Sequence, residues 1–204
     1  MSPTHSKPDP TASPHAGPAP EPVDGPVDGP VSGLAAEIGK ASPFEVPEEE
    51  LFLSLLRTTG WLNEGVTAVI REVGLSAPLY NILRILAGHA ALTENAGRPF
   101  EGIAVSRIGE HMLTREPDMT RLIDRLEKLG HVERRRCPED RRRVLVIATD
   151  TGRDLAKDLR PRLEAKHRDQ LGHLSPAEQA ALIDLLHKAR EPMRSGSNDD
   201  SVSN

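Results

Sequence analysis

The fold is decided by residues 117–149, which read PDMTRLIDRLEKLGHVERRRCPEDRRRVLVIAT. In the first part of this stretch apolar residues recur at steps of three and four, while charged residues occupy the opposite positions, as on an amphipathic helix. The apolar positions are Met119, Leu122, Ile123, Leu126 and Leu129. Gly130 is the residue type that commonly ends a helix, and Pro117 suits a first helical turn. We therefore predict a helix over residues 117–129.

Two short β-prone runs follow this helix, at residues 131–136 and 141–148. The four residues between them, 137–140, combine proline, aspartate and glutamate, which is typical of a turn. Six arginines flank that turn: Arg134, Arg135, Arg136, Arg141, Arg142 and Arg143. The pattern predicts a β-hairpin with an arginine-rich tip.

Charge is distributed unevenly along the chain. Residues 104–143 contain eleven lysines and arginines against eight acidic residues, a net +3, whereas the whole chain has a net charge of −5. An α-helix fits the major groove of B-DNA, and a narrow basic hairpin can reach the adjacent minor groove. Arginine suits this role better than lysine because its planar fork binds phosphate and guanine in a bidentate manner. The stretch therefore indicates binding to double-stranded DNA.

A long helix is predicted before this region, over residues 46–73, with acidic residues in its first turn. Its apolar seam comprises Leu55, Leu62, Val66, Val69 and Val73. Such a seam either packs on the core of its own chain or forms a dimer contact, and the residues alone favour neither.

Helix-capping residues place the remaining helices. Ser76 and Pro78 predict the start of a central apolar helix, which a loop over residues 92–102 follows. Residues 103–105 are expected to form a very short strand, and Ser106 to cap a helix that ends near residue 112.

Two further helices are predicted after the hairpin. Thr149 is expected to cap a long helix that reaches about residue 173 and that Pro161 could kink. Ser175 and Glu178 form a capping box for the last helix. The predicted buried face of that helix comprises Leu182, Ile183, Leu185 and Leu186.

Composition limits the ordered part of the chain and the possible functions. More than half of the 18 prolines lie in residues 1–45, which we expect to be a disordered Pro/Gly-rich tail. We also expect the polar residues 193–204 to form a disordered tail. No secretion signal and no membrane-length apolar run are apparent, so we expect a cytoplasmic protein. A single cysteine, scattered histidines and the lack of any catalytic grouping predict no metal, no cofactor and no enzymatic activity.

The hairpin resembles that of the multiple antibiotic resistance regulator (MarR) family. The wing pattern of that family is Asp-x-Arg-x-x-x-Val-x-Leu-Thr, and this chain has Asp140, Arg142, Val146, Ala148 and Thr149 at those positions. Ala148 is the one departure. Residues 117–135 and the helix beginning at Ser76 resemble the family as well, and the likeness extends over about residues 46–190.

The resemblance implies a mainly α-helical winged helix-turn-helix fold of about six helices with a small β-hairpin wing (α+β), over residues 46–192. The DNA-binding part would span residues 76–149, and helices from both ends, about residues 46–73 and 150–190, would form a homodimer. This favours dimerisation for the seam that begins at Leu55. A pocket between the two parts would accept a small phenolic or aromatic effector.

The resemblance also implies the residues that would bind DNA. Arg142 would enter the minor groove, with Asp140 bracing the wing, while other arginines would hold phosphates. The full expected set is Thr114, Arg115, Asp118, Met119, Thr120, Arg121, Arg125, Arg135, Asp140, Arg141, Arg142 and Arg143.

Several of these residues have a structural alternative. Arg121 and Arg125 could form salt bridges within their helix, and Met119 lies on the apolar stripe and could belong to the core. Asp124 is expected to orient an arginine, because a carboxylate repels phosphate. Cys137 among arginines raises a redox hypothesis, which we regard as the weaker interpretation.

These features predict a sequence-specific transcriptional regulator, a ligand-responsive repressor that binds a pseudo-palindromic operator as a homodimer. The alternative is a dimeric winged-helix interaction scaffold without specific DNA readout. A scaffold would carry a neutral or acidic wing, and the arginines argue against it.

Overall fold

The computed structural model describes residues 33–196, with side chains through residue 192. The expected tails at residues 1–32 and 197–204 lie outside the described residues. The described residues divide into two units, one that ends at Ser54 and one that begins at Leu55. Within the described residues, the first unit contains α1 (Leu34–Glu37) and the start of α2 (Pro47–Arg71). The helix α1, in which Leu34 and Ala35 are buried, was not expected from the sequence.

The second unit continues α2 and contains the other elements. These are α3 (Ala77–Asn95), β1 (Ile103–Ala104), α4 (Val105–Glu110), α5 (Met119–Lys128), β2 (Val132–Arg136), β3 (Val144–Ala148), α6 (Asp150–Leu171) and α7 (Pro176–Gly196). The mainly helical fold with a small hairpin is confirmed. No helix among residues 33–196 combines the length and apolarity that crossing a bilayer requires.

The core of the second unit forms around α3, as its all-round apolar pattern predicts. Ile82, Leu83 and Leu86 of α3 are fully buried, and they belong to one cluster with Ile123 of α5 and Leu159 of α6. Ser76 occupies the N-cap position of α3, as expected. The helix continues to Asn95, so the predicted loop that begins at residue 92 starts several residues too early.

The sheet has the order β1-β3-β2, and both pairings are antiparallel. β3 lies at the centre, where Val146 faces Ile103 of β1 on one side and Arg134 of β2 on the other. The strand β1 leads directly into α4, so that Ala104 is the N-cap residue. The expectation that Ser106 caps this helix is therefore wrong.

Two boundaries near the hairpin also differ from the prediction. The helix α5 begins at Met119 and not at Pro117, because the Asp118 side chain accepts a hydrogen bond from the backbone N–H of Arg121 and makes Asp118 the N-cap. The strand β3 begins at Val144, not at residue 141. The hairpin connection is consequently longer than predicted.

The ends of α5, α6 and α7 agree with the sequence. Gly130 follows α5 with a φ of 75°, a left-handed conformation that glycine adopts without strain. Thr149 caps α6 by accepting a hydrogen bond from the N–H of Gly152, and this helix continues through Pro161 to Leu171. Ser175 and Glu178 form the expected capping box before α7.

The apolar seam of α2 is divided between two environments. Val66, Val69 and Val73 pack against the core of their own chain, so the expectation that the whole seam serves dimerisation is wrong for this half. Towards the start of the second unit, Leu55 and Trp61 are exposed, Trp61 by 58%. The face of α7 that was expected to be buried is also open in the single chain, with Leu185 exposed by 64%.

Candidate nucleic-acid interface

The exposed side of α5 carries the residues that were expected to read DNA. Ile123 and Leu126 are fully buried, and this orientation turns Arg121 and Arg125 outwards. Neither arginine forms an ion pair with any residue of the described part of the chain. The alternative of intrahelical salt bridges therefore does not apply in this structure, and both guanidinium groups are open to an anionic partner.

Two clefts adjoin these arginines. One, of about 270 Å³, lies at the start of α5 and is lined by Ser76, Glu116, Pro117, Asp118, Arg121, Leu122 and Arg125. The other, of about 320 Å³, lies along the helix and is lined by Arg121, Asp124, Arg125 and Lys128. Arg121 and Arg125 line both clefts, so they form the centre of this surface.

Met119 and Asp118 have structural roles at the start of α5. Met119 is half-buried and packs against the core, and a Cβ atom added at Gly109 of α4 would lie 3.7 Å from its Cγ. This position favours the core interpretation of Met119 over a base contact. Asp118 is exposed, but its Oδ1 is engaged in the cap at 3.0 Å from the Arg121 nitrogen.

The segment before α5 adds exposed polar groups. Thr114 donates a hydrogen bond from its Oγ1 to Glu116 Oε1, at 3.0 Å. Arg115 and Thr120 are exposed as well. Thr114 and Arg115 precede α5 and Thr120 lies in its first turn, so all three are within seven positions of Arg121 in the chain.

The tip of the hairpin, residues 137–143, is held by its own backbone. The N–H of Arg142 donates to Asp140 Oδ1 at 3.0 Å, the N–H of Arg143 donates to the Asp140 carbonyl at 2.9 Å, and the N–H of Cys137 donates to the Arg143 carbonyl at 3.0 Å. The expected bracing by Asp140 is thus present, and it also explains why β3 starts late. The Cys137 thiol is buried, which weighs against a redox role.

Four arginines of the hairpin belong to the expected DNA-binding set, and they differ in their ion pairing. Arg141, Arg142 and Arg143 are exposed and form no ion pair within residues 33–196. Arg135, also in the expected set, pairs with Glu133 of its own strand, with 2.5 Å between its Nε and Glu133 Oε1. The tip therefore presents three adjacent free cations.

Arg134, one of the hairpin arginines that were expected to hold phosphates, instead contacts α5 from β2. Its Nη2 lies 2.6 Å from Asp124 Oδ1, and its Nη1 pairs with Glu127. Asp124 does hold an arginine, as expected, and the contact fixes the base of the hairpin beside the charged side of α5. Burial alone would lower the pKa of the Arg134 guanidinium, but its hydrogen bonds to the two carboxylates outweigh burial and raise that pKa.

Within residues 33–196 no group of three or more His, Cys, Asp or Glu side chains could hold a metal ion. The site is a cationic surface formed by the exposed side of α5 and the arginine-tipped hairpin of β2 and β3. The short helix α4 and a turn precede α5 in the chain. This arrangement defines the winged helix-turn-helix class.

Comparisons with known proteins identify the family. The sequence profile described as MarR family matches residues 75–144. A MarR transcription factor from Planctomyces limnophilus is 38% identical, with 71% of this chain and 98% of that chain covered and a TM-score of 0.50. The chain belongs to the MarR family of transcriptional regulators.

Two more distant structures share the fold. One is Sco3205 from Streptomyces coelicolor in complex with DNA, which is 23% identical with a TM-score of 0.60, over 74% of this chain and 90% of that one. The other is CouR from Rhodococcus jostii RHA1 bound to p-coumaroyl-CoA, which is 24% identical with a TM-score of 0.60, over 73% of this chain and 97% of that one.

Proposed function

We propose that this protein is a homodimeric, sequence-specific regulator that places α5 in the major groove of double-stranded DNA and the hairpin tip in the adjacent minor groove. The observation that carries the proposal is the set of exposed, unpaired arginines on α5 and on the tip. Arg121 and Arg125 suit bidentate contacts to guanine or phosphate, and Arg142 suits the narrow minor groove. An interaction scaffold that does not bind DNA does not require three adjacent unpaired arginines.

The remaining expected residues take different parts in this proposal. Thr114, Arg115, Thr120, Arg141 and Arg143 would hold phosphates and set the register of the protein on the duplex. Asp118, Met119 and Asp140 act indirectly, through the cap, the core and the tip. Arg135 would reach phosphate only by leaving Glu133.

The dimer is supported by apolar surface that the single chain leaves open. None of the described side chains of α7 is buried, although Leu182, Ile183 and Leu185 lie on it. In the second unit α2 exposes Leu55, Leu56 and Trp61. Apolar side chains in such number on two helices are typical of an interface. We propose that α2 and α7 pack against the same helices of a second copy of the chain. Residues 76–149 would then form the DNA-binding part of each protomer.

A two-fold dimer explains the kind of operator expected. Two copies of α5 would meet half-sites about 34–36 Å apart, so that the operator is pseudo-palindromic. A small phenolic or aromatic effector that prefers a different separation would lower DNA affinity by its differential binding to the two states. The protein would then act as a ligand-released repressor in the cytoplasm. Such an aromatic group is present in the p-coumaroyl-CoA of the CouR structure.

The test is DNA binding by the purified protein and by Arg142→Ala. Duplexes selected from fragmented genomic DNA with the wild-type protein provide the operator. Loss of a well-placed arginine contact should weaken binding about tenfold, which corresponds to about 1.4 kcal/mol and lies within the range of about 1–3 kcal/mol for a good arginine–base contact. The control is Arg160→Ala, which removes an arginine of α6 whose side chain is exposed and pairs with Glu164.

Two results would contradict the proposal. Arg142→Ala with wild-type affinity would remove the hairpin tip from DNA recognition. A wild-type protein whose binding does not fall steeply with salt would support the scaffold, because neutralising several phosphates releases counterions.

A further inference from the structure

Arg134 links β2 to α5 through polar contacts, in addition to the apolar packing of Val132 with Ile123 and Leu126. Its Nη2 is 2.6 Å from Asp124 Oδ1, its Nη1 pairs with Glu127, and its backbone N–H lies 3.3 Å from Glu127 Oε1. Asp124 and Glu127 are three positions apart and therefore lie on the same side of the helix. One guanidinium thus engages two carboxylates of the helix that is proposed to enter the major groove.

The three partners differ in exposure. The side chain of Arg134 is only 26% exposed, whereas those of Asp124 and Glu127 are 49% and 40% exposed. Both carboxylates therefore lie at the surface, and the arginine reaches them from the protein side. Because the guanidinium of Arg134 stays protonated, it offsets the negative charges of Asp124 and Glu127 at every physiological pH.

Asp124 also borders the DNA-binding arginines. It lines the cleft of about 320 Å³ together with Arg121, Arg125 and Lys128. Arg121 precedes Asp124 by three positions and Lys128 follows it by four, and these spacings allow ion pairs within a helix. Neither pair forms, and Asp124 bonds to Arg134 instead.

We propose that Arg134 is a positioning residue that occupies the carboxylates of Asp124 and Glu127 and so keeps Arg121 and Lys128 free for DNA. Without it, two negative charges would face the phosphates, and Asp124 would capture one of the cations that bind them. Like-charge placement of this kind costs affinity through repulsion, in addition to the lost contacts. This inference rests on the proposed function, since it assumes that α5 faces DNA.

The test compares four proteins on the selected operator: wild type, Arg134→Gln, Asp124→Asn, and the double variant R134Q/D124N. At about 50 mM salt we expect Arg134→Gln to bind about tenfold more weakly, while the double variant recovers to within about threefold of wild type. Asp124→Asn alone should bind at least as tightly as wild type. At about 250 mM salt the deficit of Arg134→Gln should shrink, because the screening length falls well below 10 Å.

A purely structural role for Arg134 would give a different pattern. Replacing Asp124 as well cannot restore a lost ion pair, so the double variant would bind as weakly as Arg134→Gln at both salt concentrations, and this result would overturn the proposal. Unchanged binding by Arg134→Gln would overturn it too. Arg160→Gln serves as the control for loss of an exposed arginine.

Two additions keep the outcome clear. Should circular dichroism show that Arg134→Gln is unfolded, Arg134→Lys replaces it, because one ammonium cannot bridge both carboxylates as the guanidinium fork does. We then expect about a threefold loss that Asp124→Asn again reverses, and no loss would overturn the inference. Absence of operator binding by the wild type would refute the proposed function itself.

Discussion

Gly152 offers a sharp test of how the DNA-binding part joins α6. It lies in the first turn of α6 and is buried, and a Cβ atom added there would collide with the carbonyl oxygen of His131. That carbonyl also accepts the backbone N–H of Thr149 at 3.1 Å, so it cannot turn away without breaking this bond. Gly152→Ala therefore forces one backbone segment away from another.

The magnitude follows from two opposing effects. Alanine in place of a helical glycine stabilises by up to about 1 kcal/mol, and Gly88→Ala in α3 should show this gain, because a Cβ there meets nothing within 4 Å. Forcing an extra methyl into close-packed backbone costs about 1–3 kcal/mol. We expect the net effect of Gly152→Ala to lower the free energy of unfolding by about 1–2 kcal/mol, and Gly88→Ala to raise it.

Thermal and urea denaturation at equal protein concentration measure both changes. At about 2–4 °C per kcal/mol for a chain of this size, the two variants should differ in Tm by at least about 4 °C, with opposite signs relative to wild type. The concentration is kept equal because a dimer is stabilised by mass action. Equal Tm values for the two variants would refute the steric argument.

Three further predictions concern the interface, the recognition helix and pH. Leu185→Asp should convert the dimer to a monomer in analytical ultracentrifugation and retain the helical circular dichroism signal; a dimer that survives would place the interface elsewhere. Asp118→Ala should lower the free energy of unfolding by about 1 kcal/mol, whereas Asp118→Asn, which also caps, should keep both stability and DNA affinity; weak DNA binding by Asp118→Asn would instead indicate direct DNA readout. Burial, His111 and Arg107 lower the pKa of His89. Below about pH 6.5 the unfolded chain therefore binds more protons at this residue than the folded chain does. The free energy of unfolding consequently decreases as the pH is lowered. His89→Asn should flatten the decrease in urea midpoint between about pH 7.5 and 5.5, and an unchanged slope would contradict this assignment.

Local patterns in the sequence were sufficient for most helices. The apolar spacing of residues 119–129 predicts which side of α5 is buried, and Ile123 and Leu126 are indeed fully buried. Thr149 and Ser175 cap the helices they were expected to cap. These features depend on neighbours within about four positions, which a single sequence displays.

The errors have local physical causes as well. The Asp118 side chain caps the N-terminus of α5, so this helix starts later than the position of Pro117 suggests. Asp140 binds the backbone of Arg142 and keeps the three arginines out of β3. Ala104 ends a strand and begins a helix without a gap, which excludes Ser106 as a cap.

Contacts between distant residues could not be predicted from patterns. Arg134 is ten positions from Asp124, and their pairing depends on how β2 packs beside α5. The same holds for the seam of α2, since only the fold reveals that Val66 and Val69 face the core while Leu55 does not. The one sequence signal for Arg134 was a pair of carboxylates three positions apart, on a helix followed by a basic strand.

The central position of β3 has a consequence for how such regulators diversify. Ile103 and Val146 face each other across neighbouring strands, so the chain enters and leaves the segment between them at adjacent points. A segment whose two ends meet can be exchanged as a unit, provided that its apolar contacts with α3 and α6 are kept. The receiving protein needs an apolar helix like α3 beneath it and a glycine at the position of Gly152, where a Cβ atom would collide with His131 of the segment. New DNA-binding surfaces could thus be acquired by recombination while the helices outside the segment are inherited unchanged.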